Sequence, residues 1–294
     1  MTHSLVPRPA TLPAVRPTVA LALGGGGARG LAHILMIEAL EELGVVPVAI
    51  AGTSIGAVFG AALASGMTAR QMRAHATEVL GQRFDLARQL LAARAQPLTG
   101  VWSLLTARAA LLDPETLLGL LLPSRIASDF GALEIPLSIV ATDFYGQDQV
   151  VFREGPLHRA VAASIALPAV FQPVVIEERA LVDGGLVNPL PFDLLVGAAD
   201  IIVAIDVTGA PRANPNRAHP SPIESLVGAS YIFERTIIRE KLRSRQPDVY
   251  IDAQVSGYQV ADFLKLEKIL EAAEPAKQQL KTQLARVLAS EVVR

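Results

Sequence analysis

The chain has 294 residues, 51% of them hydrophobic, and a formal net charge of -2. That length and apolar content suffice for the core of one large α/β domain, while the charge balance leaves no basic footprint for nucleic acid. The absence of cysteine excludes disulfides, thiolate zinc and thiol catalysis, and the five histidines (His3, His33, His75, His158, His219) show no metal-ligand spacing, so neither metal nor other cofactor is expected.

Residues 1–17 are proline-rich and lack the apolar core of a signal peptide, so they read as a disordered leader to a single domain over 18–294. Thr18 to Leu23 reads as a first core strand, running into Gly24-Gly25-Gly26-Gly27-Ala28-Arg29-Gly30. A helix is predicted from about Ala28 to Leu43, with Leu31, Ile34, Leu35, Ile37 and Leu40 on its apolar face and Gly44 as C-cap. Val45 to Ala51 reads as a second buried strand, which makes one βαβ unit of parallel sheet.

Next comes Gly52-Thr53-Ser54-Ile55-Gly56, then a predicted helix over 57–64. A serine between glycines at a strand-to-helix junction is the nucleophile-elbow pattern. The tight turn lifts the hydroxyl clear of the sheet, beside free N–H groups at a helix start, where developing negative charge is favoured. Residues 43–69 carry no charge and could span a bilayer by length, but Pro47 and the glycines interrupt them, so no transmembrane segment is assigned.

The glycine loop contains G-x-G-x-x-G as Gly25, Gly27 and Gly30. A dinucleotide site would need an acidic residue at the end of the second strand, yet the first aspartate in the chain is Asp85. Glycine N–H groups converging on one space serve an oxyanion equally well. Parallel topology puts the loop and Ser54 at carboxyl ends of neighbouring strands, which favours the oxyanion reading.

Thr68 and Gln71 form a capping box for a further helix. The Leu/Ala-rich stretch 84–126, with the single tryptophan Trp102, reads as helices packed on the sheet; a cover over an acyl groove is the alternative. Strands are predicted at 135–143, 149–152, 174–176, 180–182, 201–206 and 247–252. Helices are predicted at 157–166, after Pro191, at 223–244 and at 262–290. The hairpin near 174–182 delivers Asp183-Gly184-Gly185, where the glycines let the carboxylate approach another backbone closely. For a base, the chain offers Asp183 alone in a dry cleft, or Asp183 with His219 in a triad, although His219 sits in a polar, turn-rich loop.

Taken together, the glycine loop, Gly52-Thr53-Ser54-Ile55-Gly56 and Asp183-Gly184-Gly185 resemble the three signatures of the patatin-like phospholipases, in that family's order and with similar spacing. The likeness takes in Ala141-Thr142-Asp143 and Ser164-Ile165-Ala166-Leu167-Pro168, and is strongest to the bacterial branch akin to the esterase domain of neuropathy target esterase. The resemblance implies an α/β fold, a three-layer α/β/α sandwich with a central, mostly parallel sheet. It implies a serine lipid acyl hydrolase of the phospholipase A, lysophospholipase or esterase type, using a Ser54–Asp183 dyad and an acyl-enzyme. The oxyanion hole would be formed by Gly25, Gly26 and Gly27 with Arg29 near it, and Gly30, Gly52, Gly56, Gly184 and Gly185 would complete the motifs. The implied substrate is a phospholipid, lysophospholipid or acyl ester, with a cytoplasmic location and peripheral membrane contact left open. A non-catalytic acyl-lipid binding module on the same fold is the alternative.

Overall fold

The structure, a computed structural model, describes residues 16–83, 112–209, 219–220 and 222–291. Most of the leader, Trp102 and the greater part of 84–126 lie outside these residues, so the proposed cover falls there too.

Strand β1 (Val19–Leu23) shows how the sheet takes its two faces. Its odd residues Val19, Leu21 and Leu23 are large and enter the main core, while Ala20 and Ala22 are small and face a second, thinner cluster with Leu190, Phe192, Leu195 and Ile238. A side-chain period of two produces this division. The chain continues through a 3-10 helix (Gly27–Ala32) into α1 (His33–Glu42), then β2 (Ala49–Thr53) and α2 (Ile55–Ala64). α3 (Ala69–Glu78) opens with the predicted capping box, Thr68 with Gln71.

Beyond these come α4 (Pro114–Leu121), β3 (Leu137–Asp143), β4 (Asp148–Phe152), α5 (Leu157–Ser164), β5 (Val174–Ile176), β6 (Arg179–Asp183) and β7 (Ile201–Asp206). The last elements are α6 (Pro222–Ser244), β8 (Val249–Asp252) and α7 (Leu266–Glu291). The main helical layer holds α1, α2, α5 and α7. Lys277 of α7, almost fully buried, bonds Glu38 at 2.8 Å and Glu42 at 2.6 Å on α1. On the opposite face lie a 3-10 turn (Phe192–Leu195) and α6. This is the predicted three-layer α/β/α sandwich.

The eight-stranded sheet runs β5-β6-β3-β2-β1-β7-β8, with β4 also on β3. β3, β2, β1, β7 and β8 are parallel; β4, β5 and β6 are antiparallel additions. The register along β3 brings distant segments together. β4 pairs with Ile139 to Asp143, so it takes one flank. The other flank is shared: β2 pairs as far as Val140 (opposite Thr53), and β6 begins at Ala141 (opposite Asp183). β2 and β6 therefore lie end to end along a single strand, and the residues at their junction are Ser54 and Asp183.

Several predicted bounds shift: the helix expected over 28–43 is α-helical only from His33, and the strands expected from 135 and 247 start at Leu137 and Val249. The second strand begins at Ala49, because Val45 N–H closes the end of α1 on Leu40 O at 2.9 Å, and Pro47 has no N–H to give a ladder. After Pro191 the chain makes only the short 3-10 turn instead of a full helix.

Candidate active site

Ser54 sits where β2 stops and α2 starts, with φ 54° and ψ -125°. That left-handed conformation costs a serine on the order of 1–3 kcal/mol and persists only where its surroundings dictate it. Here they do. Ser54 N–H donates to Ser164 Oγ at 2.8 Å, and the Ser164 hydroxyl donates to Val140 O at 2.6 Å. Gly52 packs on the start of α2 and Gly56 on the Leu23 carbonyl, where a side chain would collide. Thr53 donates to Asn188 O at 2.7 Å, which ties the elbow to the chain just after Asp183.

Asp183 is 4% exposed. Its Oδ2 accepts the Ser54 hydroxyl at 2.7 Å, and its Oδ1 accepts Gly185 N–H at 2.8 Å. The main chain is fixed as well: Asp183 N–H donates to Ala166 O at 3.0 Å, and Thr142 donates its hydroxyl to Asp183 O at 2.8 Å. Burial pushes the carboxyl up from 3.8 to about 6, against the opposing pull of the Ser54 and Gly185 hydrogen bonds. Gly184 is buried on the Val140 carbonyl, so the Asp-Gly-Gly turn presses directly onto β3. Among the described residues neither Ser54 nor Asp183 bonds a histidine, and His219 is exposed.

The glycine loop passes over Ser54 closely enough that a Cβ on Gly25 would lie 3.3 Å from Ser54 Cβ. Its N–H groups divide into two sets. Gly24 donates to Ile205 O, Gly25 to Pro189 O and Ala28 to Val260 O, at 2.8 to 3.0 Å. Of the predicted hole residues, Gly25 anchors the loop on Pro189 O, while Gly26 and Gly27 N–H have no acceptor among the described residues. Gly27 has φ +57°, and a Cβ there would lie 2.2 Å from Val260 Cγ2, so only glycine fits.

Arg29 supports the loop from a buried position, and its Nη2 has no hydrogen-bond partner among the described residues. It is 1% exposed, donates Nε–H to Gly26 O at 3.0 Å and lays its guanidinium 4.4 Å from the centre of the Tyr231 ring. In a trans peptide the C=O and the following N–H point opposite ways. Holding Gly26 O therefore aims Gly27 N–H away from Arg29. His33 braces the other end of the loop. It is fully buried, its Nε2–H donates to Gly24 O at 2.9 Å, and burial depresses its pKa to about 4, so it is neutral. Gly30 lets the following turn pack on Ile55.

The structure brings Ser54 and Asp183 together and lays Gly25 of the glycine loop against Ser54. Thr142 and Ser164, which hold Asp183 O and Ser54 N–H, lie in segments that the family resemblance already took in, whereas Tyr231 and Glu234 lie on α6, outside any motif. Glu234 is 5% exposed and lies over Gly185, and burial followed by the nearby Asp183 charge raises its pKa to about 8. The only signal available for it was helical spacing, since Tyr231, Glu234, Ile238 and Lys241 share the inner stripe of α6.

Residues 21–196, more than half of the chain, match the family model described as patatin-like phospholipase, and that span contains both Ser54 and Asp183. An uncharacterized NTE family protein of Mycobacterium tuberculosis is 39% identical over 206 residues, covering 70% of this chain and 53% of that protein. Patatin-like phospholipase domain-containing protein 7 of Rattus norvegicus is 31% identical over 192 residues, covering 64% of this chain and 13% of that protein. The chain thus spans about half the length of the mycobacterial relative and a small part of the mammalian one. No helix among the described residues is long and apolar enough to cross a membrane.

Proposed function

This chain belongs to the patatin-like phospholipase family, and we propose that it is a serine lipid acyl hydrolase working through a Ser54–Asp183 dyad. The observation that carries the reading is the 2.7 Å hydrogen bond from the Ser54 hydroxyl to a buried carboxylate. Ser54 Oγ attacks the ester carbonyl carbon while Asp183 Oδ2 takes its proton. Charge developing on the carbonyl oxygen is met by the N–H groups of Gly26 and Gly27. Collapse breaks the ester C–O bond, Asp183 returns the proton to the leaving alcohol, and the acyl group stays on Ser54. Water then gives a proton to Asp183 and attacks the acyl carbon, and the proton passes back to Ser54 as the acid leaves. The substrate is a glycerophospholipid, a lysophospholipid or a simpler acyl ester.

A carboxylate raised to about 6 suits this role better than an ordinary one, because the base is still ionised at neutral pH yet binds a proton more tightly. A fluorophosphonate probe is expected to lose fluoride and bond covalently to Ser54, as read by peptide mass spectrometry. Absence of labelling with acyl-lipid binding intact would favour the binding-module reading.

Two variants test the supporting parts. Gly27→Ala is expected to lower kcat on the order of 10²–10³-fold, the loss seen when one oxyanion donor is displaced, with a fall in melting temperature from the Val260 clash. His219→Ala is expected to leave turnover at the wild-type level; a collapse there would point to a histidine-assisted hydrolase instead.

A further inference from the structure

Helix α6 presents two unlike faces. Its inner stripe (Tyr231, Glu234, Ile238, Lys241) turns toward Arg29, Gly185, the sheet and Asn188. Its outer face carries Leu226, Ile232 and Phe233, which are 53%, 57% and 61% exposed. These three large apolar side chains belong to the half of the helix whose inner face braces the glycine loop and the Asp-Gly-Gly turn. They lie across the helix from the Tyr231 contact with Arg29 and the Glu234 contact with Gly185. A cluster of this kind marks an interaction surface.

The other half of the outer face is cationic. Arg235, Arg239 and Arg243 recur at every fourth residue and are exposed. With Ile232, Leu242 and Tyr250 they line an open groove of about 690 Å³ that reaches Asp206. Arg245 is exposed as well. Among the α6 residues whose side chains are described, the exposed acidic one is Glu240, which Arg243 holds at 2.6 Å and Arg239 approaches at 3.9 Å. In a chain with a net charge of -2, this is a local concentration of positive charge.

We propose that the outer face of α6 docks the protein on an anionic phospholipid membrane. Leu226, Ile232 and Phe233 enter the head-group region, and the arginines lie on lipid phosphates. A helix with adjacent apolar and basic surfaces binds such an interface by burying apolar area and by attraction to anionic lipid. Guanidinium groups match phosphate geometry with paired N–H donors. The purpose of the docking rests on the lipid-hydrolase reading, since it would hold Ser54 at the surface where the ester lies, but the docking itself is measurable without hydrolysis.

The test uses full-length Ser54→Ala protein, co-sedimented with phosphatidylcholine vesicles and with vesicles of phosphatidylcholine mixed with phosphatidylglycerol. We expect binding to the mixed vesicles to be at least about tenfold tighter than to phosphatidylcholine alone, and to weaken in high salt. Adding Ile232→Ser and Phe233→Ser should weaken it by about tenfold or more, with Phe233→Leu restoring most of the loss. Adding Arg239→Glu and Arg243→Glu should erase the preference for the mixed vesicles. Circular dichroism melts of each variant confirm that the fold is kept. Failure of the Ser54→Ala protein to sediment with either vesicle, or unchanged binding by both double variants, overturns the proposal. So does a dimer in solution that Phe233→Ser splits, because the patch would then be covered by a second copy. Docking without ester hydrolysis by wild-type protein would sink the hydrolase reading alone; hydrolysis without docking would sink this proposal alone.

Discussion

Ser54→Ala is expected to lower turnover of a p-nitrophenyl acyl ester by at least about 10⁴-fold, with the fold intact. Losing the attacking oxygen removes the covalent step, and only binding and the oxyanion donors remain to assist water. The substitution should not unfold the protein, because the bonds holding the elbow run from Ser54 N–H to Ser164 and from Thr53 to Asn188, and both survive. Alanine still adopts a strained backbone at φ 54°, so melting temperature should stay near that of wild type. Unchanged turnover would end the nucleophile assignment.

Asp183→Asn is expected to cost on the order of 10²–10⁴-fold in kcat, the usual contribution of a general base. It should also stabilise the fold at alkaline pH. The buried carboxyl binds its proton more tightly in the folded chain (pKa about 6) than in the unfolded one (3.8). The stability linked to that proton is full below about pH 4 and is lost as pH rises through about 6. At pH 8 the ionised group costs the fold roughly 3 kcal/mol, from about two pKa units. Asparagine keeps the shape without the charge, and its amide can still face Ser54 while its oxygen accepts Gly185 N–H. The variant should melt above wild type at pH 8, with the gap closing toward pH 4. In the wild type, kcat/KM should rise with pH through about 6 and then level off. A flat profile across that range, or a variant that melts lower at pH 8, would contradict the dry-base assignment.

Much of the arrangement was legible because the chemistry forces rare residues into place. Gly27 must be glycine, the elbow needs small neighbours, and the apolar run to Leu23 reads as a core strand, although its unequal covering on two sides shows only in the fold. What was not legible depends on long-range contacts. Val45 reads as strand by hydrophobicity, but its N–H is used by the end of α1. The resemblance put Arg29 near the glycine loop, but its partner Tyr231 lies some two hundred residues on. His33 stands in the sequence only as a histidine without metal-ligand spacing, yet in the fold it is buried and fixes the Gly24 carbonyl. Helical spacing alone could not tell that the inner stripe of α6 meets the catalytic loops.

The shared flank of β3 has a consequence for how substrate can get in. A slip of β6 by one residue would shift Asp183 about 3.4 Å and turn its side chain to the opposite side of the sheet. On the dyad reading, the antiparallel edge, which ends in the three-residue β5, must therefore stay shut while Ser54 and Asp183 react. Breathing that admits a fatty chain has to come from parts that do not meter the distance between hydroxyl and carboxylate. On the same reading, loosening of that short edge should abolish turnover at a temperature below the melting of the core.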